Sequence, residues 1–394
     1  MMVIISTLII VISASSIPYT YYPTYVEGLG GTPLVVGIIG FVSYISMALV
    51  QFLGGYLADK HGRRWLIVSM TFATAVTYIF YAMAPTWHFI LVASIMQNLC
   101  LIYQPAILAL VADSISPEKR GMGFSIINLI HHISVPSPII AGLLSIQYGL
   151  VSGMRIAYLI VAVSFFAAGI IRIKLKETLS NRTERINIVN SFRAFPHSVI
   201  EGMRALKTAS RSMRFLFFSF AIYNFAWFTC SLNLILYATH ILRIGKFEWA
   251  VLMTWFSVVN ILSALPCGKI IDKFGRKKPL LFAWGFFIPA MIAFVYGDMI
   301  ILIICFLLLG LALILVNTAY PALEADLVAR EKRGKLAGST YFFFNISNAL
   351  GLLSGGFMYE FLSPALPFFL SSILYVPCLF LTLFHVHEPG KREI

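Results

Sequence analysis

The chain has 394 residues, 59% of them apolar and 11% charged, a balance that excludes a soluble globular protein, whose surface at this length demands many more charges. The formal net charge of +13 does not indicate nucleic acid, because the basic residues recur in short gaps between apolar runs instead of gathering on one face. Five cysteines, Cys100, Cys230, Cys267, Cys305 and Cys378, fall in or beside those runs and read as small apolar side chains, not as a disulfide or metal framework.

Runs long enough to span a bilayer, about 17 to 25 residues each, come in two sets of six. The first set lies near 2–26, 34–57, 65–84, 88–112, 121–147 and 154–173, and the second near 214–239, 247–271, 279–296, 299–325, 335–359 and 364–386. The expectation is an all-α, multi-pass membrane protein of twelve transmembrane helices, with bundle domains at 1–173 and 214–394 joined by a polar linker at 174–213. The first run has no basic leader and carries Tyr19, Tyr21, Tyr22 and Tyr25 as an aromatic belt, so it reads as a retained helix and not a cleaved signal. Of the 29 Lys and Arg, all but Arg155, Arg243 and Lys246 fall in alternate gaps, which by the positive-inside rule places both termini in the cytoplasm and the protein in the cytoplasmic membrane. Within the linker Ser198 and Glu201 have capping-box spacing, Val199, Met203 and Leu206 share one helical face, and Arg204, Lys207 and Arg211 share another. That pattern suits a helix lying on the inner leaflet, with a plain tether as the alternative.

The gap after the second run holds Gly55, Tyr56, Leu57, Ala58, Asp59, Lys60, His61, Gly62, Arg63 and Arg64, read as a tight turn outside the hydrocarbon. Gly268 to Lys277 repeats it 213 residues later (272 minus 59), with Gly268, Asp272, Lys273, Gly275 and Arg276 in register. Ala112, Asp113 and Glu118 to Gly121, with Arg120, recur at the same offset as Ala325, Asp326 and Glu331 to Gly334, with Arg333. The chain is a duplication. Asp59 and Asp272 stand where a carboxylate can face a helix N-terminus, and Arg63 and Arg276 stand one turn beyond, within reach of Asp113 and Asp326.

The double six-helix repeat, the Gly-x-Leu-Ala-Asp-Lys-x-Gly-Arg-Arg loop with its weaker copy, and the Asp-then-Arg-Gly ends of the fourth and tenth runs resemble the major facilitator superfamily across essentially the whole chain. The resemblance implies a secondary transporter, not an enzyme, that needs no cofactor, works as a monomer and alternates between inward-facing and outward-facing states. It also implies that Gly55, Asp59, Arg63, Asp113, Arg120, Gly268, Asp272, Arg276, Asp326 and Arg333 form a conformational latch on the cytoplasmic side. Ser137, Pro138, Ala141 and Gly142 resemble the Gly-Pro-x-x-Gly-Gly segment of the family's antiporters, with Gly351, Ser354, Gly355 and Gly356 in the matching stretch. Ser and Ala replace two of those glycines, and the fourth run lacks the antiporters' embedded arginine.

Polar residues deep in apolar runs are costly in lipid and mark a cavity. On the fifth run these are Asn128, His131 and His132, the histidines being the groups that titrate near neutral pH. Elsewhere they are Gln104 with Asn317, again 213 apart (317 minus 104), Gln97 above Gln104, Asn224, Trp227 and Ser231 on one stripe, Tyr341, Asn345 and Asn348, and Tyr19 and Tyr22 on the first run. No Arg, Lys, Asp or Glu falls at the midplane, Glu324 being read as near the inner end of its run, so a small neutral or amphipathic solute and either histidine-mediated proton coupling or none are expected. Efflux, uncoupled uptake of a polar metabolite and a non-transporting sensor on the same scaffold are the competing readings.

Overall fold

The structure, a computed structural model, describes residues 2–61, 63–113, 136–175, 177, 203–204, 206–328 and 333–388, and the side chains among these except at 2, 51–61, 108–109, 111–113 and 333–339. Every regular element among the described residues is helical. Among the described residues nine helical stretches are long and apolar enough to cross a bilayer, and a bent pair makes ten. The chain divides into two compact units, Met1–Val35 with Val42–Pro196, and Val36–Phe41 with His197–Ile394.

The first unit contains α1 (Met2–Tyr19), α2 (Tyr22–Gly28), most of α3 (Pro33–His61), α4 (Arg63–Met83), α5 (Trp87–Cys100), α6 (Gln104–Asp113), α7 (Ser137–Tyr148) and α8 (Leu150–Arg172). Two of its predicted single helices are broken. Between α1 and α2 the axis bends by 51°, with Pro18 in the last turn of α1 and Pro23 in the first turn of α2, each removing a backbone donor. Between α5 and α6 lies a 3₁₀ turn at Leu101–Tyr103. Pro105 has no N–H to give the Leu101 carbonyl, and Gln104 N–H takes that carbonyl one residue early.

A tyrosine cluster fills the core of this unit where α2, α4, α5 and α8 meet. The Tyr25 hydroxyl donates to the Tyr81 carbonyl at 2.8 Å, the Tyr81 hydroxyl to Gln97 Oε1 at 3.0 Å, and Gln97 Nε2 to the Tyr78 hydroxyl at 2.7 Å. Tyr158 stacks on Tyr81 with centroids 4.9 Å apart, and Arg155 donates to the Ala84 carbonyl at 3.0 Å. At the other end of α8, Arg172 is only 1% exposed. Its Nε donates to Thr7 Oγ1 at 3.2 Å, its Nη1 to Thr71 Oγ1 at 2.6 Å, and its guanidinium lies 5.5 Å from the Tyr103 ring centroid. Counting cations by gap assigns Arg172 to the polar linker. The structure instead buries it in the bundle, where two threonine hydroxyls and a ring face replace water.

The second unit contains α9 (Arg211–Ser231), α10 (Asn233–His240), α11 (Lys246–Phe274), α12 (Lys277–Tyr296), α13 (Met299–Leu327), α14 (Arg333–Phe361) and α15 (Leu366–His385). The break at Leu232 between α9 and α10 corresponds, at the 213-residue offset, to Tyr19, the last residue of α1, so the two units interrupt this helix within about a residue or two of the same position. α14 packs on α9 through glycines: a Cβ on Gly351 would sit 2.5 Å from the Phe225 carbonyl, and one on Gly355 would overlap the Thr229 carbonyl. This is the close helix approach that small residues permit. The core here is built from rings. Phe294 is fully buried among Phe306, Phe368 and Tyr237, and Trp284, Phe287, Tyr223 and Tyr375 stack nearby, with Trp284 Nε1 donating to Thr382 Oγ1 at 3.1 Å.

The repeated motif is not a ten-residue turn. α3 runs on through His61 and α4 opens at Arg63, so every described residue of the first copy is helical. In the second copy α11 continues to Phe274 and the chain turns at Gly275, whose φ of +86° a side chain rarely tolerates. A helix satisfies its own backbone groups and can continue past the hydrocarbon, which is why the polar residues do not end it.

Candidate functional site

At the motif end of each unit the same construction appears twice. In the first unit Glu177, just beyond α8, accepts from the backbone N–H of Arg63 at 3.2 Å and of Arg64 at 3.1 Å, while Arg64 Nη2 donates to the Ile173 carbonyl at 2.6 Å. In the second, Glu388, just beyond α15, accepts from the Lys277 N–H, and Lys277 Nζ donates to the Leu383 carbonyl at 2.8 Å. Each carboxylate sits on the free donors at the N-terminus of a helix, α4 in the first unit and α12 in the second, where the helix dipole also favours an anion. A Cβ on Gly275 would come 2.5 Å from a Glu388 carboxylate oxygen, so this glycine makes room for the clasp. Neither glutamate stands out in the sequence. Their near-equal spacing, 211 residues (388 minus 177), is the available signal.

Of the latch residues, Arg276 and Asp326 meet as an ion pair at 3.2 Å, both about 15% exposed, with an angle outside hydrogen-bond geometry. Arg63 is buried at the start of α4, Asp272 is exposed near the end of α11, and Gly268 faces open space. Gly55 and Asp59 lie in α3, Asp113 ends α6 and Arg333 opens α14, but the side chains of Asp59, Asp113 and Arg333 fall outside the described ones, as does Arg120 altogether.

Half of the predicted cavity residues lie in the second unit. Phe220 of α9, Tyr320 of α13 and Phe344 of α14 meet ring to ring, with centroids 3.6, 5.0 and 5.9 Å apart. One turn on from Phe220, buried Asn224 turns its Nδ2 back to the Phe220 carbonyl at 2.8 Å, and Trp227 packs on Phe287 at 5.9 Å. Asn345 and Asn348 are each 7% exposed, whereas Asn317 and Tyr341 are exposed. Buried polar atoms on these helices without a hydrogen-bond partner among the described residues include Ser231 Oγ, the Tyr320 hydroxyl and Asn348 Oδ1. Such orphans are rare in packed interiors and call for a reason. Glu324 of α13 also belongs here, its Oε1 accepting from Thr340 Oγ1 at 3.3 Å. Its place along the run makes it read, in sequence, as a helix-end residue.

In the first unit Gln104 and Tyr22 are half-buried, Tyr19 is 67% exposed, and Gln97 belongs to the tyrosine cluster. Asn128, His131 and His132 lie outside the described residues.

Apolar helices in two units, with duplicated charged ends and a polar stripe inside, define a multi-span membrane carrier. The Major Facilitator Superfamily profile matches residues 3–253 and 216–394, and the chain belongs to that family of secondary transporters of small solutes. It is 25% identical over 389 residues to the multidrug resistance protein MdtH of Photorhabdus laumondii, covering 94% of this chain and 89% of that one. It is 27% identical over 163 residues to the multi-drug resistance efflux pump PmrA of Streptococcus pneumoniae, a match spanning only 40% of each chain. Its fold is shared with a crystallised point mutant of the nucleoside transporter NupG, at a TM-score of 0.76 and 14% identity over 98% of both chains.

Proposed function

We propose that the chain exports a small amphipathic organic solute across the cytoplasmic membrane by alternating access of two six-helix bundles, 1–173 and 214–394. In this reading the linker 174–213 and both termini are cytoplasmic, the Asp59 and Asp272 motifs latch that side, and His131 or His132 carries a coupling proton. The observation that carries the reading is the pair of orphaned polar atoms, the Tyr320 hydroxyl and Asn348 Oδ1, on the helices that form the Phe220, Tyr320 and Phe344 ring cluster. Polar groups left unsatisfied between apolar helices are expensive, and a solute that passes through supplies the missing partners. The names borne by MdtH and PmrA favour export of amphipathic compounds over uptake of a metabolite.

The test needs no substrate. Spin labels at Thr32, in the segment after α2, and at Lys246, the first residue of α11, are expected to give two distance populations in lipid. Asp59→Asn is expected to shift their ratio toward the shorter distance, because loss of the latch lets the motif side open and the opposite side close. A single distribution, unchanged by the substitution, overturns alternating access for this chain.

A further inference from the structure

Glu324 lies on α13 one turn beyond Tyr320 and two beyond Asn317, so the three share a face, while Asp326 points about 200° away toward Arg276. The Glu324 carboxylate is half-buried, takes one hydrogen bond from Thr340, and interacts electrostatically with the phenols of Tyr320 and Tyr341. Among the described residues no Lys, Arg or His forms an ion pair with it. A carboxylate in that setting demands a counter-charge. A proton supplies one but has no use for the surroundings, which are the stacked Phe220 and Tyr320 rings with Phe344 against them, the unpartnered Tyr320 hydroxyl and the unpartnered Asn348 Oδ1. A cation with an apolar body uses all of them. Ring faces attract positive charge, apolar surface covers the rings, and a polar substituent reaches the orphaned acceptor.

We propose that Glu324 is the recognition carboxylate for a monovalent amphipathic organic cation, with Phe220, Tyr320 and Phe344 holding its apolar body. This names the solute class of the stripe already read as the transport site, and so rests on that reading. Asn317, exposed on the same face, extends the polar track along α13. Thr340 is a positioning residue, fixing one carboxylate oxygen so that the other faces the solute.

The probe pair is tetraphenylphosphonium and uncharged triphenylphosphine oxide, titrated calorimetrically into the purified full chain. The wild type is expected to bind the phosphonium and to discriminate against the neutral compound. Glu324→Gln is expected to weaken phosphonium binding about ten- to hundredfold, the worth of a charge-assisted contact, while leaving the neutral compound unaffected. Glu324→Asp is expected to keep part of the affinity. Equal phosphonium affinity in Glu324→Gln and wild type overturns the assignment. So does wild-type protein that binds both probes equally or neither, a result that stands even if Glu324→Gln fails to fold. The spin-label distances are independent of both probes, so loss of the cation assignment and loss of alternating access are separate outcomes.

Discussion

The tyrosine cluster of the first unit and the ring cluster of the second occupy corresponding places and are held together differently. Tyr78, Tyr81, Gln97 and Tyr158 stand, 213 residues on, as Met291, Phe294, Gly310 and Ser371. In the first unit Gln97 bridges two phenols. In the second a Cβ on Gly310 would already come 2.7 Å from Val259, so no amide fits there, and Phe294 packs on Phe306, Phe368 and Tyr237, whose hydroxyl goes to the Val295 carbonyl at 3.2 Å and bridges no second ring. At positions related by the 213-residue offset, each core has settled on its own chemistry. One is polar and specified by direction, the other apolar and specified by shape.

The sharpest way to break the comparison is to give the second core the first one's chemistry. Phe294→Tyr adds a hydroxyl and extra volume to a fully buried position with no bridging amide, and is expected to cost about 2 to 5 kcal/mol, read as a lower melting temperature in detergent. A variant as stable as the wild type would mean the second core holds a hidden acceptor. The converse exchange is expected to be milder. Gln97→Leu strips the bridge from Tyr78 and Tyr81 at about 1 to 3 kcal/mol, and adding Tyr78→Phe and Tyr81→Phe is expected to restore most of the loss, because removing both partners of a bond is nearly neutral. Failure of the rescue would show that the phenols have other partners of equal weight. The smallest effects belong to the part the two units share. Glu177→Ala and Glu388→Ala are each expected to cost about 1 kcal/mol, as for a lost helix cap, and to add in the double variant because they lie in different units. Unequal or strongly non-additive losses would end the equivalence of the two clasps.

The meeting of Arg276 with Asp326 was legible because the same residues recur in register 213 positions apart, and the burial of Asn345 and Asn348 because helical spacing puts both on one face. The Leu101–Tyr103 turn was legible in principle from Pro105. Arg172 was misplaced because a cation at the end of an apolar run looks the same in sequence whether it leaves the bundle or turns into it. Only the threonines of α1 and α4 decide that. Glu177 and Glu388 escaped because their spacing differs by two residues from the repeat offset and each sits in a polar tail. Glu324 was discounted by its distance from the middle of its run, whereas its importance comes from the face it shares with Tyr320.

The clasps also set a schedule for synthesis. The contact from Glu177 closes a span of 114 residues and that from Glu388 one of 111. α4 and α12 therefore leave the ribosome with their first backbone donors uncovered, and wait for α8 and α15 to follow before they are matched. The first bundle receives its closing residue while the second has yet to be made, so the two can mature one after the other, each sealed by the last residues it acquires.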